Sequence, residues 1–381
     1  MRRRYYFDWA ATAIPDVFSS HAVPFGNPSS KHSEGREARV ALEDARCRCA
    51  AVLRVEPEKI FFTSGGTESN AIVLHSLLRR QNRPGCGGLL VSVVEHPSVR
   101  ENAAILERLG KPLTFAGVET DGRVSGETLA GALKKARDPR LAALMAVNNE
   151  TGAVMDIPAL AEVLRKEAGA PIHLHCDMVQ AVGKTPVDLY SWDADSASLS
   201  AHKLGGSRGI GILDLRKPME VLCAGGGQEG RIRPGTENTA GALALAECLE
   251  RRAGPEVSAA GYEQAALRWK TLIAALKALP RCTLIPRDRG EADRRFSPYI
   301  LQAAFRGIPG EVMVRALDDE GFAVSTGSAC SSGEQDRPVL TAMGVDRTTV
   351  FEGIRLSQGW HTTGEDIDAL IEGINRILRI L

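Results

Sequence analysis

The chain has 381 residues with 47 acidic and 47 basic side chains, which allows two domains and a large core and gives no net field to favour nucleic acid or an anionic membrane. Its eight cysteines follow no regular framework, which suits a reducing compartment. No apolar run is long enough to span a bilayer, and Arg2-Arg3-Arg4 leads into Tyr5-Tyr6-Phe7-Asp8 instead of a signal-peptide apolar region, so the expectation is a cytoplasmic protein with no nucleic-acid or membrane partner.

Residues 32–53 read as an amphipathic helix, with Ala38, Ala41, Leu42, Ala45, Cys49 and Val52 near helical spacing. The apolar strand Ile60-Phe61-Phe62 runs into Thr63-Ser64-Gly65-Gly66-Thr67-Glu68-Ser69-Asn70 and then a helix around residues 71–78. Residues 88–94, 141–147, 172–176 and 195–200 are further strand-like runs, with helical patterns over 99–109 and 158–168 between some of them. This alternation predicts an α/β domain with a mainly parallel sheet, whose ligands collect beyond the carboxyl ends of the strands. The pattern shifts near Ala253-Gly254-Pro255. A long helix over about 256–279, strand-like 299–305, a helix over 310–320, strand-like 353–357 and a closing helix from Gly364 read as a smaller α+β domain. The expected division is a large domain over residues 15–254 and a small domain made of 1–14 and 255–381.

Lys203, in Ser200-Ala201-His202-Lys203-Leu204-Gly205-Gly206, and Asp177, in His175-Cys176-Asp177-Met178-Val179-Gln180, are the pair that a pyridoxal phosphate site needs. The amine holds the aldehyde as a Schiff base, and the carboxylate keeps the ring nitrogen protonated. Alone, Lys203 reads as a solvated surface lysine; its small and glycine-rich neighbours suit close approach by a bulky ligand. Ser64-Gly65-Gly66-Thr67 lies where a strand turns into a helix, so its backbone N–H groups either hold a phosphate or simply start a capped helix. Gly225, Gly227 and Gly230 match G-x-G-x-x-G, but Arg231-Ile232-Arg233-Pro234-Gly235 opens no helix, which argues against a dinucleotide site; the glycine-rich loop over 225–236 still has the look of a binding loop. His173, His175 and Asp177 share one strand face, with Cys176 on the other; no second cluster has zinc spacing, so no metal is expected. His96 is either a satisfied loop residue or a ring that stacks on a planar cofactor and moves protons near neutral pH. Cys330, among small polar residues in Ser328-Ala329-Cys330-Ser331-Ser332-Gly333, reads as an accessible nucleophilic thiol. Arg355, on a short strand, is either a surface charge or a bidentate clamp for a carboxylate.

Together these stretches resemble the cysteine desulfurases, among the class V aminotransferase-like enzymes of the pyridoxal phosphate (PLP)-dependent transferase fold type I. The resemblance runs from Phe7 to the last helix. It passes through Phe25-Gly26-Asn27-Pro28-Ser29-Ser30-Lys31-His32, Val147-Asn148-Asn149-Glu150-Thr151-Gly152, and residues 63–70, 95–99, 175–180, 200–203, 225–236, 327–332 and 354–359. It implies PLP as cofactor, L-cysteine as substrate, and a homodimer with shared active sites. It also implies that Lys203 forms the imine and moves the α-proton, that Asp177 pairs with the pyridinium nitrogen, that Gln180 contacts the ring hydroxyl, and that His96 stacks on the ring. Gly66, Thr67, Ser200 and His202 would hold the phosphate, and Thr236 would reach the phosphate in the neighbouring subunit. Asn27 and Arg355 would hold the substrate α-carboxylate, with Asn149 between substrate and cofactor. Cys330 would take the sulfur as a persulfide, release alanine, and deliver the sulfur to an acceptor protein in iron–sulfur cluster assembly, tRNA thiolation or cofactor synthesis. The departures are Trp9, where relatives often have a smaller or more polar residue, the order of Gly230 and Arg231, and the run after Cys330. An aminotransferase or selenocysteine lyase of the same fold, or a degenerate non-enzymatic scaffold partner, are the alternative readings.

Overall fold

The computed structural model describes residues 3–16, 23–79, 87–186, 191–327 and 337–381. Regular structure begins with β1 (Tyr5–Tyr6), α1 (Ser33–Leu53), β2 (Ile60–Thr63), α2 (Gly66–His75), β3 (Gly88–Ser92), α3 (Pro97–Arg108), β4 (Leu113–Ala116) and α4 (Gly126–Lys135). It continues with β5 (Pro139–Met145), α5 (Ile157–Glu167), β6 (His173–Asp177), β7 (Ser196–Ser200), β8 (Gly211–Leu215) and α6 (Thr239–Arg252). The last part holds α7 (Pro255–Lys277), β9 (Cys282–Ile285), β10 (Ile300–Phe305), α8 (Gly310–Asp319), β11 (Phe322–Ala323), α9 (Pro338–Ala342), α10 (Arg347–Glu352), β12 (Gly353–Ser357) and α11 (Gly364–Ile380). Among the described residues no helix is long and apolar enough to cross a membrane.

The α/β expectation holds. Seven strands form one sheet in the order β2-β8-β7-β6-β5-β3-β4. From β4 to β7 neighbours run parallel, while β8 is antiparallel to both β7 and β2. Helices cover both faces, so the central strands are buried on both, and their side chains alternate between two cores. Leu90, Ala142 and Leu144 face the core shared with α1, α4, α5 and α6, whereas Leu89, Val91, Leu141 and Ala143 face α2 and α3. The chain runs outward from β3 to β4, then returns to build β5, β6 and β7 on the other side. The resulting crevice lies between the carboxyl ends of β3 and β5, where open α/β sheets hold ligands.

A second, antiparallel sheet has the order β12-β10-β9. It packs on α7, α8 and α11 through residues such as Trp269, Leu301, Phe305, Leu317, Ile354 and Ile374. The first residues tie this part to the large sheet. Phe7 lies in the second core, the Ala13 N–H donates to the His202 carbonyl at 2.9 Å, and the Asp16 N–H donates to the Gly205 carbonyl at 2.8 Å. Trp9 has a physical reason to be large. It is buried, its Nε1 donates to the Tyr6 carbonyl at 3.0 Å, it meets Trp360 edge-on at 5.9 Å, and its ring fills the space where a Cβ on Gly359 would sit, 2.0 Å from Cδ2.

Candidate active site

A cavity of about 530 Å³ opens at the crevice. Of the residues singled out in the sequence, Gly66, Thr67, His96, Asn149, Asp177, Gln180, Ser200, His202, Lys203 and Arg355 all line it. Most arrive from the end of an element: His96 after β3, Asn149 after β5, Asp177 and Gln180 at or just after the end of β6, and Ser200 to Lys203 from the end of β7, whereas Arg355 comes from the middle of β12. Asn27 and Thr236 do not line it. Both are exposed, and the Asn27 side chain accepts from the Ser29 N–H at 2.9 Å. Cys330 lies outside the described residues.

One end of the cavity is built for an anion. Gly65, at φ +149°, makes the turn that starts α2, a backbone conformation that disfavours other residues. The helix N-terminus there faces Ser200, whose Oγ lies 3.4 Å from where a Gly65 Cβ would be. A Cβ on Gly66 would sit 2.5 Å from Val179 Cγ2, so bare backbone must line this cradle. His202 and Arg208 stand beside it. Burial, assisted by Lys203, Lys184 and Arg208, pushes His202 down to about 4, so it meets an anion as a neutral ring.

The other end is acidic and its partners are fixed. Oδ1 of Asp177 accepts from the Val179 N–H at 3.0 Å, and Oδ2 accepts from Asn70 Nδ2 at 2.8 Å. Asn70 Nδ2 also donates to Ser98 Oγ at 2.8 Å, while Asn70 Oδ1 accepts from His175 Nε2 at 2.9 Å and from Ser198 Oγ at 2.6 Å. All four hydrogen-bonding positions of the amide are used, and this sets the tautomers around it. His175 donates through Nε2, so its Nδ1 accepts from Ser196 Oγ at 2.8 Å, which in turn lies 2.8 Å from His173 Nε2. Ser98 Oγ accepts from Asn70 and therefore donates to His96 Nδ1 at 2.8 Å, which also accepts from the Ser98 N–H at 3.1 Å. Neutral His96 thus carries its ring proton on Nε2. Burial lowers the His96 imidazole below its ordinary value; Asp177 opposes this, while Lys203 and Arg100 add to it. Burial, with His173 nearby, pushes His175 to about 3. The histidines of β6 are therefore structural supports for Asp177, which is why small hydroxyl residues alternate along β7.

Lys203 Nζ donates to the carbonyls of Ala10 and Ala11 at 2.6 and 2.8 Å. Gln180 Nε2 donates to the same Ala10 carbonyl at 2.8 Å, and its Oε1 accepts from Lys184 Nζ at 2.8 Å. Arg355 is buried; Nη2 donates to Asp8 Oδ1 at 2.8 Å, and Nη1 donates to the carbonyls of Asn149 and Gly327 at 3.0 and 3.2 Å.

Sequence reasoning assigned no role to Asn70, Ser98, Arg208, Lys184 or Asp8. For Asn70 a signal was present: it lies four residues after Gly66, on the same helix face. An amine, a carboxylate and a backbone anion cradle thus converge on one cavity with room for a planar ring between them, and these groups fit pyridoxal phosphate.

Residues 5–370 match the family model described as aminotransferase class-V, and the chain belongs to that family. It is 35% identical to the protein named cysteine desulfurase IscS of Dictyoglomus turgidum, an alignment covering 100% of this chain and 96% of the relative. Its fold is similar to a solved structure described as a NifS-like protein, with 32% identity, full coverage of both chains and a TM-score of 0.88. It is also similar to the structure described as SspA in complex with cysteine, with 26% identity, 93% and 98% coverage and a TM-score of 0.77.

Proposed function

We propose that this protein is a PLP-dependent cysteine desulfurase that converts L-cysteine to L-alanine and takes the sulfur onto Cys330 as a persulfide. The observation that carries this reading is the convergence of Lys203, Asp177 and the Gly65-Gly66 cradle on one cavity, in a chain whose relatives bear that name. The neighbour described as a cysteine complex supports cysteine as substrate.

When bound, the pyridoxal group supplies an electron sink for the carbons of the substrate. Lys203 would hold the cofactor and move the proton at the substrate α-carbon. Asp177, pinned by Asn70, would hold the ring N–H, His96 would cover the ring, and Gln180 would meet the ring hydroxyl. Backbone N–H groups at Gly66 and Thr67, with Ser200 and His202, would hold the phosphate. Arg355 would orient the substrate carboxylate, and Asn149 would touch both molecules. The Cys330 thiolate attacks the substrate sulfur: an S–S bond forms as the C–S bond breaks, the bonding electron pair goes to the substrate carbon, and protonation there gives alanine.

The site lies between a proposed large domain (residues 15–254) and a proposed small domain (1–14 with 255–381). We assign Thr236 to the cofactor phosphate of a second subunit in a homodimer, and Asn27 to the substrate carboxylate; the exposure of both side chains in the single chain is compatible with roles completed by assembly. A sulfur-acceptor protein would discharge Cys330.

The test is incubation of the purified protein with L-cysteine and a reductant. Alanine and sulfide are expected in equal amounts, together with added sulfur on Cys330 by mass spectrometry. Full sulfide production by Cys330→Ala would overturn the persulfide role, and a protein that takes up no PLP would overturn the whole reading.

A further inference from the structure

Lys184 lies behind the site, 1% exposed. A lysine is among the costliest residues to bury without a counter-charge, and here Nζ is directed at Oε1 of Gln180, 2.8 Å away. The other end of the same amide donates to the Ala10 carbonyl, which also accepts from Lys203. Lys184, Gln180, the Ala10 carbonyl and Lys203 thus form one hydrogen-bonded chain that ends at the proposed cofactor-bearing amine.

We propose that Lys184 is a positioning residue: by holding Oε1 of Gln180 it keeps the amide carbonyl turned away from Lys203, so that an N–H of Gln180 faces the cavity and the oxygen of a pyridoxal ring. This deepens the function proposed above and rests on it.

The two ends of the Gln180 amide are chemically opposite, and each has a partner that only one orientation satisfies. A carbonyl at Ala10 accepts and cannot donate, so Nε2 must face it, and the Lys184 amine donates to the Oε1 on the other side. Burial, with Lys203 and Arg355 nearby, holds the Lys184 amine well below its ordinary value; charged or neutral, it keeps an N–H for Oε1. Without that N–H, Oε1 would be a buried acceptor with no partner, which is costly enough to drive the side chain to another donor. The next donor along this hydrogen-bonded chain is Lys203, which already shares the Ala10 carbonyl. A carbonyl on the amine, in place of an N–H on the ring oxygen, favours the protonated form of the cofactor linkage.

The experiment is a pH titration of the visible band of the PLP-loaded protein, with the affinity of the cofactor-free protein for PLP as a second readout. Lys184→Met should raise the titration midpoint by about one pH unit and weaken PLP binding several-fold. Lys184→Leu provides a second apolar side chain of different shape. In a Gln180→Leu background, Lys184→Met should produce no further shift, because there is no amide left to orient. Unchanged midpoints in the single variants would overturn the proposal, as would a full shift in the Gln180→Leu background, which would make Lys184 act by its charge alone. A wild-type protein with no visible band would instead strike at the proposed function itself.

Discussion

Asn70 donates to Asp177 across 2.8 Å, and no hydrogen-bonding position of its amide is left over for the cavity. The acidic end of the site is therefore held by a side chain that touches no ligand. Hydrogen bonds to a charged group contribute about 1.5–3 kcal/mol. Asn70→Ala is expected to weaken PLP binding by roughly ten- to a hundredfold, by freeing the Asp177 carboxylate and leaving His175 without an acceptor. Titration of the cofactor-free protein with PLP, followed by fluorescence, measures this. Wild-type affinity in the variant would show that Asp177 needs no such support.

Glu95 supplies a pH dependence. It is fully buried behind the site, with Oε1 accepting from Ser92 Oγ at 2.5 Å and from the Met145 N–H at 2.9 Å, and with no partner for Oε2 among the described residues. Burial, with Asp177 adding to it, raises its carboxyl from the ordinary 4.5 to about 8. In that interval the folded state keeps a proton that the unfolded chain has released, so stability falls as pH rises, by up to about 1.4 kcal/mol per pH unit. Glu95→Gln lacks this proton. Its melting temperature relative to wild type should therefore climb between pH 5 and pH 8. Parallel curves across that range would mean that Glu95 is ionised in the fold.

Trp9 and Gly359 form a complementary pair. A methyl group on Gly359 would stand 2.0 Å from the indole, so Gly359→Ala should cost about 3 kcal/mol or more. Trp9→Ala should cost about 3–5 kcal/mol through the cavity it leaves. Combined, the two losses should fall well short of their sum, because the methyl group then enters vacated space. Melting temperatures of the three variants decide it, and additive losses would show that Gly359 is small for another reason.

Lys203, Asp177 and His96 were legible in the sequence because each ends or follows a short buried strand, and strands such as β3, β5, β6 and β7 stand out as apolar or small-residue runs. Strand β8 was not legible: it follows the glycine-rich stretch 205–209 and carries Asp214, which the fold buries. Helix α2 begins at Gly66, five residues before the apolar pattern that marked it, because its first turn is made of glycine, threonine, glutamate and serine, the first three of which line the cavity. Asn70 and Lys184 are polar residues that belong to no apolar pattern. Their burial comes from contacts with β6, β7 and Gln180 that no local pattern encodes, and spacing of four residues from Gly66 and Gln180 is the only trace. Asn27 and Thr236 could be matched to a family by their motifs, yet nothing in one chain brings them to the cavity.

The strap formed by residues 8–16 has a temporal consequence. Its carbonyls at Ala10 and Ala11 are the seat of the Lys203 amine, and its Asp8 grips Arg355, 347 positions later. A ribosome adding 5–20 residues per second needs roughly 20–70 s to travel that distance. Throughout that interval the strap exists while its anchor is still unwritten, so the chamber lined by Lys203 and Arg355 closes only after the last strand of the second sheet has been added.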